Sequence, residues 1–263
     1  MQVTTNPLQT RGMKRTLTFL AMLLLVVGAS LLLEFEYAEA VSAFPDAAVW
    51  LIRNFYPNAA AWARLPDILE KLTETVLLSV ASATSASLFA YVFALLGAES
   101  TKVNNSLAGA SKLFASFFRN VPDIVWSMIF LFSFGMNIMT GFLALFFVTF
   151  GTLNRAFIET IDETAKDSVE ALTATGASRW QIIGQAIFPN SIAGVISWIL
   201  YSIETNVRSA TLIGMLTGSG IGHIFNLYYK NLDYHSSSLI VLCIMIVVLG
   251  LEAISNQVRR SIL

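Results

Sequence analysis

The chain has 263 residues, of which 56% are hydrophobic and 13% charged, and its mean hydropathy is +0.68. Soluble domains use about 25% charged residues, so this composition excludes most soluble enzyme classes. Sixteen Lys and Arg residues balance 17 Asp and Glu residues without a basic tract, which argues against a nucleic-acid partner. We therefore expect the lipid bilayer to surround the chain, and we predict an all-α, polytopic membrane protein.

The first apolar run, residues 16–33, follows three basic residues and just reaches the length of about 20 residues that a membrane-spanning helix needs. Ala38-Glu39-Ala40 has the pattern of a signal-peptidase site, so a cleaved signal peptide is one interpretation. The run is longer than the apolar part of a signal peptide, which has about 7–15 residues, and we favour a retained anchor. The aromatic-rich segment 34–66 is predicted to be an external interfacial helix, which separates an N-terminal part, 1–66, from a core at 67–263.

Five further spans are predicted in the core, with approximate limits 75–98, 113–134, 140–158, 191–215 and 236–254. Small residues recur every four positions in the first of these spans, and they predict close helix packing. The two series are Ser79, Ala83, Ser87 and Ser82, Ala86, Ala90. With the N-terminus inside, eleven Lys and Arg residues fall on the cytoplasmic side and four outside, while Arg208 lies in a span. About six transmembrane helices with both termini in the cytoplasm fit this distribution.

Residues 159–190 form the longest polar insert on the predicted inner side and have the pattern of two helices joined by a turn. Apolar residues at three- and four-residue spacing predict an amphipathic first helix, which Gly176 is placed to end. Ser178 and Gln181 have the spacing of a capping box and start a second helix, which we expect to stop at Pro189. A net charge of −3 disfavours DNA binding. A hairpin that lies on the bilayer and a knob that docks on a soluble partner both remain possible.

This insert resembles the coupling loop of the permease subunits of bacterial ABC importers. The matching residues are Glu170 and Ala171, then Gly176 and finally Pro189, while Leu172 replaces the usual small third residue. The resemblance implies that the insert docks on a cytoplasmic ATPase. Trp180, which shares one face of the second helix with Ile183 and Ile187, is a further candidate for this contact.

A second stretch is similar to the phosphonate-type branch of these permeases. Residues 204–211 read Glu-Thr-Asn-Val-Arg-Ser-Ala-Thr and precede glycines at 214, 218, 220 and 222, although Thr217 and Ser219 depart from the usual small residues. The two resemblances cover about residues 67–258. They imply a type I ABC importer permease fold in a bacterial cytoplasmic membrane. The implied partners are a second permease copy, identical or related, a cytoplasmic ABC ATPase dimer and an external substrate-binding protein.

No cofactor, metal ligand or catalytic residue is predicted in the chain. The phosphate-binding pattern Gly-x-x-x-x-Gly-Lys-Ser/Thr is missing from the sequence, so ATP is expected to bind the partner. The glycines at 218–222 are better explained by helix packing or by a turn at the outer mouth. His223 and His235 are isolated from acids at ligand spacing, and a membrane enzyme is therefore the least favoured alternative.

Glu204 and Arg208 are spaced to form a same-face ion pair inside a span, and Asn206 lies between them on another face. Such groups are costly in a membrane unless they are paired or line a wet path. Either the pair only fixes helix packing, or Glu204 holds Arg208 ready for an oxyanion such as phosphonate or phosphite. Methionine and phosphate remain alternative cargoes. Arg119 and Asp123 have the same spacing and are predicted to form a second pair that supports packing or a gate.

Overall fold

The computed structural model describes residues 7–262, and its regular elements are helices. The chain divides into two compact units, Met1–Asn54 and Phe55–Leu263. The first unit contains α1 (Pro7–Leu32) and α2 (Tyr37–Asn54). Helix α1 is long and apolar enough to cross a membrane, and α2 agrees with the predicted helix after the anchor. The proposed division at residue 66 and the interfacial position of the segment before it stay predictions.

The second unit is a bundle in which α4, α7 and α9 pack around one apolar cluster. Its helices are α3 (Ala59–Ala63), α4 (Leu65–Gly97), α5 (Asn105–Asn120), α6 (Asp123–Phe134), α7 (Ile138–Ala174), α8 (Arg179–Ile182), α9 (Phe188–Thr217), α10 (Gly220–Lys230) and α11 (Tyr234–Ile262). Within residues 7–262, five helical stretches are long and apolar enough to span a membrane. They are α1, α4, the first part of α7, the stretch from α8 through α9, and α11. The predicted all-α, polytopic fold class is confirmed.

Helix α4 packs through small side chains, as the sequence predicts. Pro66 and Asp67 lie in its first turn, where a missing N–H and a negative charge are both favourable. The two series of small residues at 79–90 are buried, and none of the six is more than 7% exposed. The absence of bulky side chains on this face lets neighbouring helices approach the α4 backbone closely.

The predicted span at 113–134 is wrong as a single helix, because the chain breaks at Pro122 into α5 and α6. Val121, directly before it, is extended with φ −91° and ψ 121°, as the steric clash with a following proline requires. Four-residue spacing brings side chains together only on a continuous helix. The predicted Arg119–Asp123 ion pair is therefore also wrong: Asp123 accepts a hydrogen bond from the N–H of Ile124 instead.

The predicted helix end at Pro189 is also wrong. The chain stays helical from Arg179 to Thr217, passing through a π-helical turn at Ile183–Ile187. Pro189 lies in the first turn of α9, directly after this irregular turn, and a proline is tolerated there because the backbone hydrogen-bond pattern changes. Helix α7 likewise continues from the predicted fourth span into the insert. Both arms of the insert are thus extensions of long bundle helices.

The turn from α9 to α10 brings two backbones together at Gly222. A Cβ added there would overlap the carbonyl oxygen of Thr211 and lie 2.8 Å from the N of Met215. We expect Gly222→Ala to lower the free energy of unfolding by about 1–3 kcal/mol, since backbone atoms cannot move aside locally. The measurement is the thermal unfolding midpoint in detergent. Gly250→Ala is the control, because its added Cβ meets no atom within 4 Å, and equal losses in both variants would contradict the close approach.

Candidate translocation site and coupling hairpin

An ion pair between Glu204 and Arg208 lies on α9, at the spacing that the sequence predicts. Oε1 of Glu204 is 3.0 Å from Nη2 of Arg208. The two side chains differ in exposure, at 12% for Glu204 and 51% for Arg208. The buried carboxylate therefore anchors a guanidinium group that remains accessible. On the same face of α9, the side chains of Trp198, Tyr201 and Leu212 are also exposed.

Asn206 faces the interior and joins three helices. Its Oδ1 accepts a hydrogen bond from Oγ1 of Thr149 on α7 at 3.0 Å, and its Nδ2 donates to Oγ of Ser82 on α4 at 3.3 Å. Asn206 is only 6% exposed, and buried amides need such partners. Its position holds α9 in register with α4 and α7, which keeps Arg208 at a fixed place along the bundle.

A cavity of about 70 Å³ adjoins this site. Its lining is Asp123, Leu145, Val148, Thr149, Thr152, Tyr201, Ser202, Thr205, Asn206 and Ser209. Asp123 comes from the start of α6, directly after the break at Pro122. The cavity therefore brings a carboxylate beside a group of hydroxyls, in a segment for which the sequence predicts only a continuous span.

Four of the five residues predicted to dock on a partner lie at the exposed end of the hairpin formed by α7, α8 and the π-helical turn: Glu170, Ala171 and Gly176 are exposed, and Trp180 is 80% exposed. The fifth, Pro189, is also exposed but lies in the first turn of α9, beside the buried base of the hairpin. Gly176 has φ +80°, and the N–H groups of Gly176 and Ala177 donate to the carbonyls of Thr173 and Leu172. This is a Schellman ending of α7, so the predicted role of Gly176 in ending the helix is confirmed. The N–H of Ser178 donates to Oε1 of Gln181 at 2.7 Å, as expected from the capping box.

The base of the hairpin is buried in the bundle core. Ile161, Ala165 and Ile187 are 0% exposed and belong to the apolar cluster between α4, α7 and α9. Interiors of proteins are packed too tightly for such residues to shift independently. A force applied at the hairpin tip is therefore transmitted to the bundle helices.

Both arms of the hairpin also hold the loop at 98–104, which joins α4 to α5. Asp162 accepts hydrogen bonds from the N–H groups of Glu99 and Ser100, each at 3.1 Å. Arg179 donates to the carbonyl oxygen of Thr101. The hairpin and this loop thus form one polar unit at one end of the bundle.

Glu99 extends this unit towards α5. Its carboxylate contacts Lys102 and is 2.7 Å from Nζ of Lys112. The hydrogen bonds from Lys102 and Lys112, together with their charges, lower the pKa of Glu99 to about 2. Glu99 therefore stays ionised near neutral pH and links Lys102 in the loop to Lys112 on α5.

The glycines after α9 form a turn that docks on the start of α4. The N–H of Gly220 donates to Oε1 of Glu74 at 3.0 Å, and the N–H of Ile221 donates to Oγ1 of Thr75 at 2.8 Å. Gly218 and Gly220 have positive φ angles. The predicted turn is confirmed, and it fixes the end of α9 opposite to the hairpin.

Asp233 fixes the start of α11 at the same end of the bundle. Burial alone would raise the pKa of Asp233, but hydrogen bonds from Ser236 and the charge of Arg64 outweigh it, so the pKa lies below its usual value. His235 contacts the carbonyl oxygen of Tyr56 through Nδ1 at 2.6 Å. Across residues 7–262, no three His, Cys, Asp or Glu residues lie together as metal ligands would.

A family model described as "Binding-protein-dependent transport system inner membrane component" matches residues 86–262. The chain belongs to this family. It is a multi-pass permease subunit of an ABC importer, and thus a transport component rather than an enzyme.

Two curated relatives of this permease are named as transport proteins for phosphorus oxyanions. The phosphate-import permease protein PhnE of Mycolicibacterium smegmatis is 26% identical over 190 residues, which cover 72% of this chain and 36% of the relative. The phosphite transport system permease protein HtxC of Stutzerimonas stutzeri is 25% identical over 246 residues, covering 94% of this chain and 86% of the relative. The chain thus spans about a third of the first relative and most of the second.

A crystal structure of an amino acid ABC transporter has a similar fold. Its TM-score is 0.67 at 14% sequence identity, and the match covers 77% of this chain and 97% of that one. At this identity the likeness concerns the fold alone.

The permease contains contacts that sequence reasoning missed. Asp162 and Thr149 occur in no recognised motif, Ser82 is predicted only as a small packing residue, and each forms a hydrogen bond with a residue distant along the chain. The only local signal for Asp162 is that it is an acidic residue on an amphipathic helix. Acidic residues of such helices more often face solvent, so this signal does not predict the contact.

Proposed function

We propose that this permease carries a small phosphorus oxyanion, of the phosphonate or phosphite class, across the cytoplasmic membrane. The observation that carries the proposal is the half-exposed guanidinium of Arg208 on a membrane-spanning helix, held by the buried carboxylate of Glu204. A guanidinium has five N–H donors, so one contact to Glu204 leaves donors for a tetrahedral anion. The names of the relatives support this class of cargo.

The energy for transport comes from partners in this proposal. The exposed tip at 170–180 docks on one subunit of a cytoplasmic ABC ATPase dimer, and an external substrate-binding protein delivers the anion. A second permease copy, identical or related, completes the path in the bilayer. Both termini lie in the cytoplasm with the hairpin, and closure of the ATPase moves the hairpin arms between two packing states.

Phosphate is the second candidate cargo, since one relative is named for its import. Methionine has no comparable support, because the likeness to an amino acid transporter rests on 14% identity.

Uptake measurements test the cargo. The permease is expressed with its neighbouring ATPase and binding-protein genes in a bacterial strain that lacks other phosphorus oxyanion importers. We expect growth on phosphite or methylphosphonate as the sole phosphorus source, with ATP-dependent uptake of the labelled anion. Uptake of labelled methionine without uptake of any phosphorus oxyanion would overturn the proposal.

Trp180 at the hairpin tip is expected to be an anchor for the ATPase. A large aromatic side chain that is 80% exposed is typical of interface residues whose removal costs about 2 kcal/mol or more. We expect Trp180→Ala to lower the amount of ATPase that copurifies with the permease by about tenfold or more. Trp62→Ala, at the opposite end of the bundle and 52% exposed, is the control. Equal ATPase recovery in the two variants would contradict this docking surface.

A further inference from the structure

The cavity beside Arg208 has a negative charge in its lining, which is unexpected next to a path for anions. Among the described residues that line the cavity, Asp123 has the only carboxylate, Tyr201 has a phenol, and none is a Lys or Arg. A carboxylate in a membrane segment is costly unless it is hydrated or finds a donor. The cavity has about the volume of two water molecules at about 30 Å³ each, which suits a small anion rather than a large organic ligand.

The carboxylate of Asp123 is free to receive a hydrogen bond. Within residues 7–262, it accepts one from the N–H of Ile124 and forms no ion pair. Ser202, Ser209 and Tyr201 also line the cavity, and their hydroxyls have no protein hydrogen-bond partner in the described part of the chain. The cavity thus offers one strong acceptor together with hydroxyl groups that can donate.

One side of the cavity reaches the face of α9 that carries Arg208. Tyr201 and Thr205 line the cavity, and they lie seven and three residues before Arg208, which places them on the same side of the helix. Tyr201 is 44% exposed on this face. Arg208 itself is not among the lining residues, but Tyr201 and Thr205 connect its position with the cavity that Asp123 lines.

The charge of Asp123 discriminates between protonation states of such an anion. A fully ionised oxygen would be repelled by the carboxylate, whereas a P–O–H group donates a short, charge-assisted hydrogen bond to it. Phosphorus oxyanions can carry this proton near neutral pH, since the second pKa of a phosphate monoester is about 6.

We infer that Asp123 accepts a hydrogen bond from the P–O–H group of the cargo and thereby selects the singly protonated anion. The inference rests on the proposed function, because it assigns a role to Asp123 only for a phosphorus oxyanion. The remaining oxygens of the anion face Arg208 and the cavity hydroxyls. Asp123 is thus a specificity-determining residue of the permease, outside the two motif stretches at 159–190 and 204–222.

The test is the pH dependence of uptake in liposomes that contain the complete complex with its binding protein. Initial phosphite uptake is measured from about pH 6 to about pH 8, across the second ionisation of the anion. For the wild type we expect uptake to fall as pH rises, because the protonated fraction falls. Asp123→Asn, whose amide can donate, is expected to flatten or reverse this profile. The same binding protein serves both complexes, so the difference reports on the permease.

Two further variants keep the test decisive. Thr84→Val removes an exposed hydroxyl on α4 that donates to the carbonyl of Val80 and lies outside the cavity, and it is expected to keep the wild-type profile. Asp123→Ser, whose hydroxyl can still accept a hydrogen bond from a free N–H in the first turn of α6, replaces Asp123→Asn if the amide variant does not assemble.

Each outcome bears on a separate claim. Parallel pH profiles for the wild type and the uncharged variants would overturn the role of Asp123 while leaving the proposed cargo intact. If wild-type uptake requires sodium and uptake by Asp123→Asn does not, with parallel pH profiles, the cavity holds a cation and the role of Asp123 is also overturned. If the wild-type complex takes up no phosphorus oxyanion, the proposed function itself fails.

Discussion

Replacing Arg208 by alanine is expected to abolish phosphorus oxyanion uptake while the permease still assembles with its ATPase. Hydrogen bonds to charged groups contribute about 1.5–3 kcal/mol each, so each lost contact lowers uptake about tenfold to a hundredfold. Loss of the paired contacts that a guanidinium makes to one oxyanion therefore removes measurable uptake. Arg208→Lys keeps the charge but loses the planar donor array, and we expect an intermediate rate. The measurements are initial uptake of labelled phosphite and recovery of the intact complex.

The alanine variant leaves the carboxylate of Glu204 buried without its partner. Breaking a buried ion pair costs about 3–5 kcal/mol when one charge is left behind, although the exposure of Arg208 reduces this figure. The double variant Arg208→Ala with Glu204→Gln removes both charges and restores the stability of the bundle. If uptake is lost in both the single and the double variant, the loss belongs to the guanidinium rather than to misfolding.

Arg155 provides a matched control elsewhere in the chain. It forms an ion pair with Glu159 at the same four-residue spacing, with N–O distance 2.8 Å and side-chain exposure of 53%. Unlike Glu204, its partner is also exposed, at 55%, so the pair contributes little to stability. Arg155→Ala is expected to retain uptake. Full uptake by Arg208→Ala would show that the Glu204 pair only fixes helix packing.

Local signals in the sequence predicted those parts of the site that depend on neighbouring residues. The Glu204–Arg208 pair and the helix end at Gly176 each depend on a spacing within one helix turn or one turn motif, so a single stretch of sequence contains the full information. The fold class followed from apolar length in the same way, because a membrane requires helices of a certain length.

The errors arose where packing decides between local alternatives. Pro122 and Pro189 are both chain-breaking signals, yet one ends a helix and the other lies within a continuous helical stretch. The difference is the π-helical turn before Pro189, which no local pattern predicts. Contacts such as Asp162 to the loop at 98–104 depend on how α4 and α7 pack, and a single sequence does not reveal that arrangement.

Changes at the hairpin tip are expected to uncouple ATP hydrolysis from uptake without altering the translocation site. Gly176 has φ +80°, a conformation that costs a residue with a Cβ about 1–2 kcal/mol. An added Cβ meets no atom within 4 Å, so the backbone conformation, rather than a clash within the chain, limits substitution. We expect Gly176→Val to deform the turn, and Gly176→Asn to be better tolerated, since asparagine adopts this conformation more readily.

Charge at the hairpin supplies an independent test of the same surface. Glu170 is exposed and lines a groove together with Glu99 and Asp162, so this side of the tip is acidic and suits a basic surface on the ATPase. We expect Glu170→Lys to lower ATPase recovery and uptake by about tenfold or more, because like charges across an interface cost several kcal/mol. Glu163→Lys, on an exposed position of the same helix nearer the bundle, is the matched control.

The two pairs of variants separate docking from pore function when uptake and ATP hydrolysis are measured on the same samples. If the hairpin tip no longer binds the ATPase correctly, the ATPase is either not recovered or hydrolyses ATP without uptake. Substitution of Arg208 instead lowers uptake while the ATPase still docks normally. Gly176→Val and Glu170→Lys should share the first pattern, and Gly176→Asn and Glu163→Lys should stay near the wild type. Wild-type ATPase recovery and uptake in both Gly176→Val and Glu170→Lys would mean that the ATPase docks elsewhere. The buried base at Ile161 and Ile187 would then serve only the stability of the bundle.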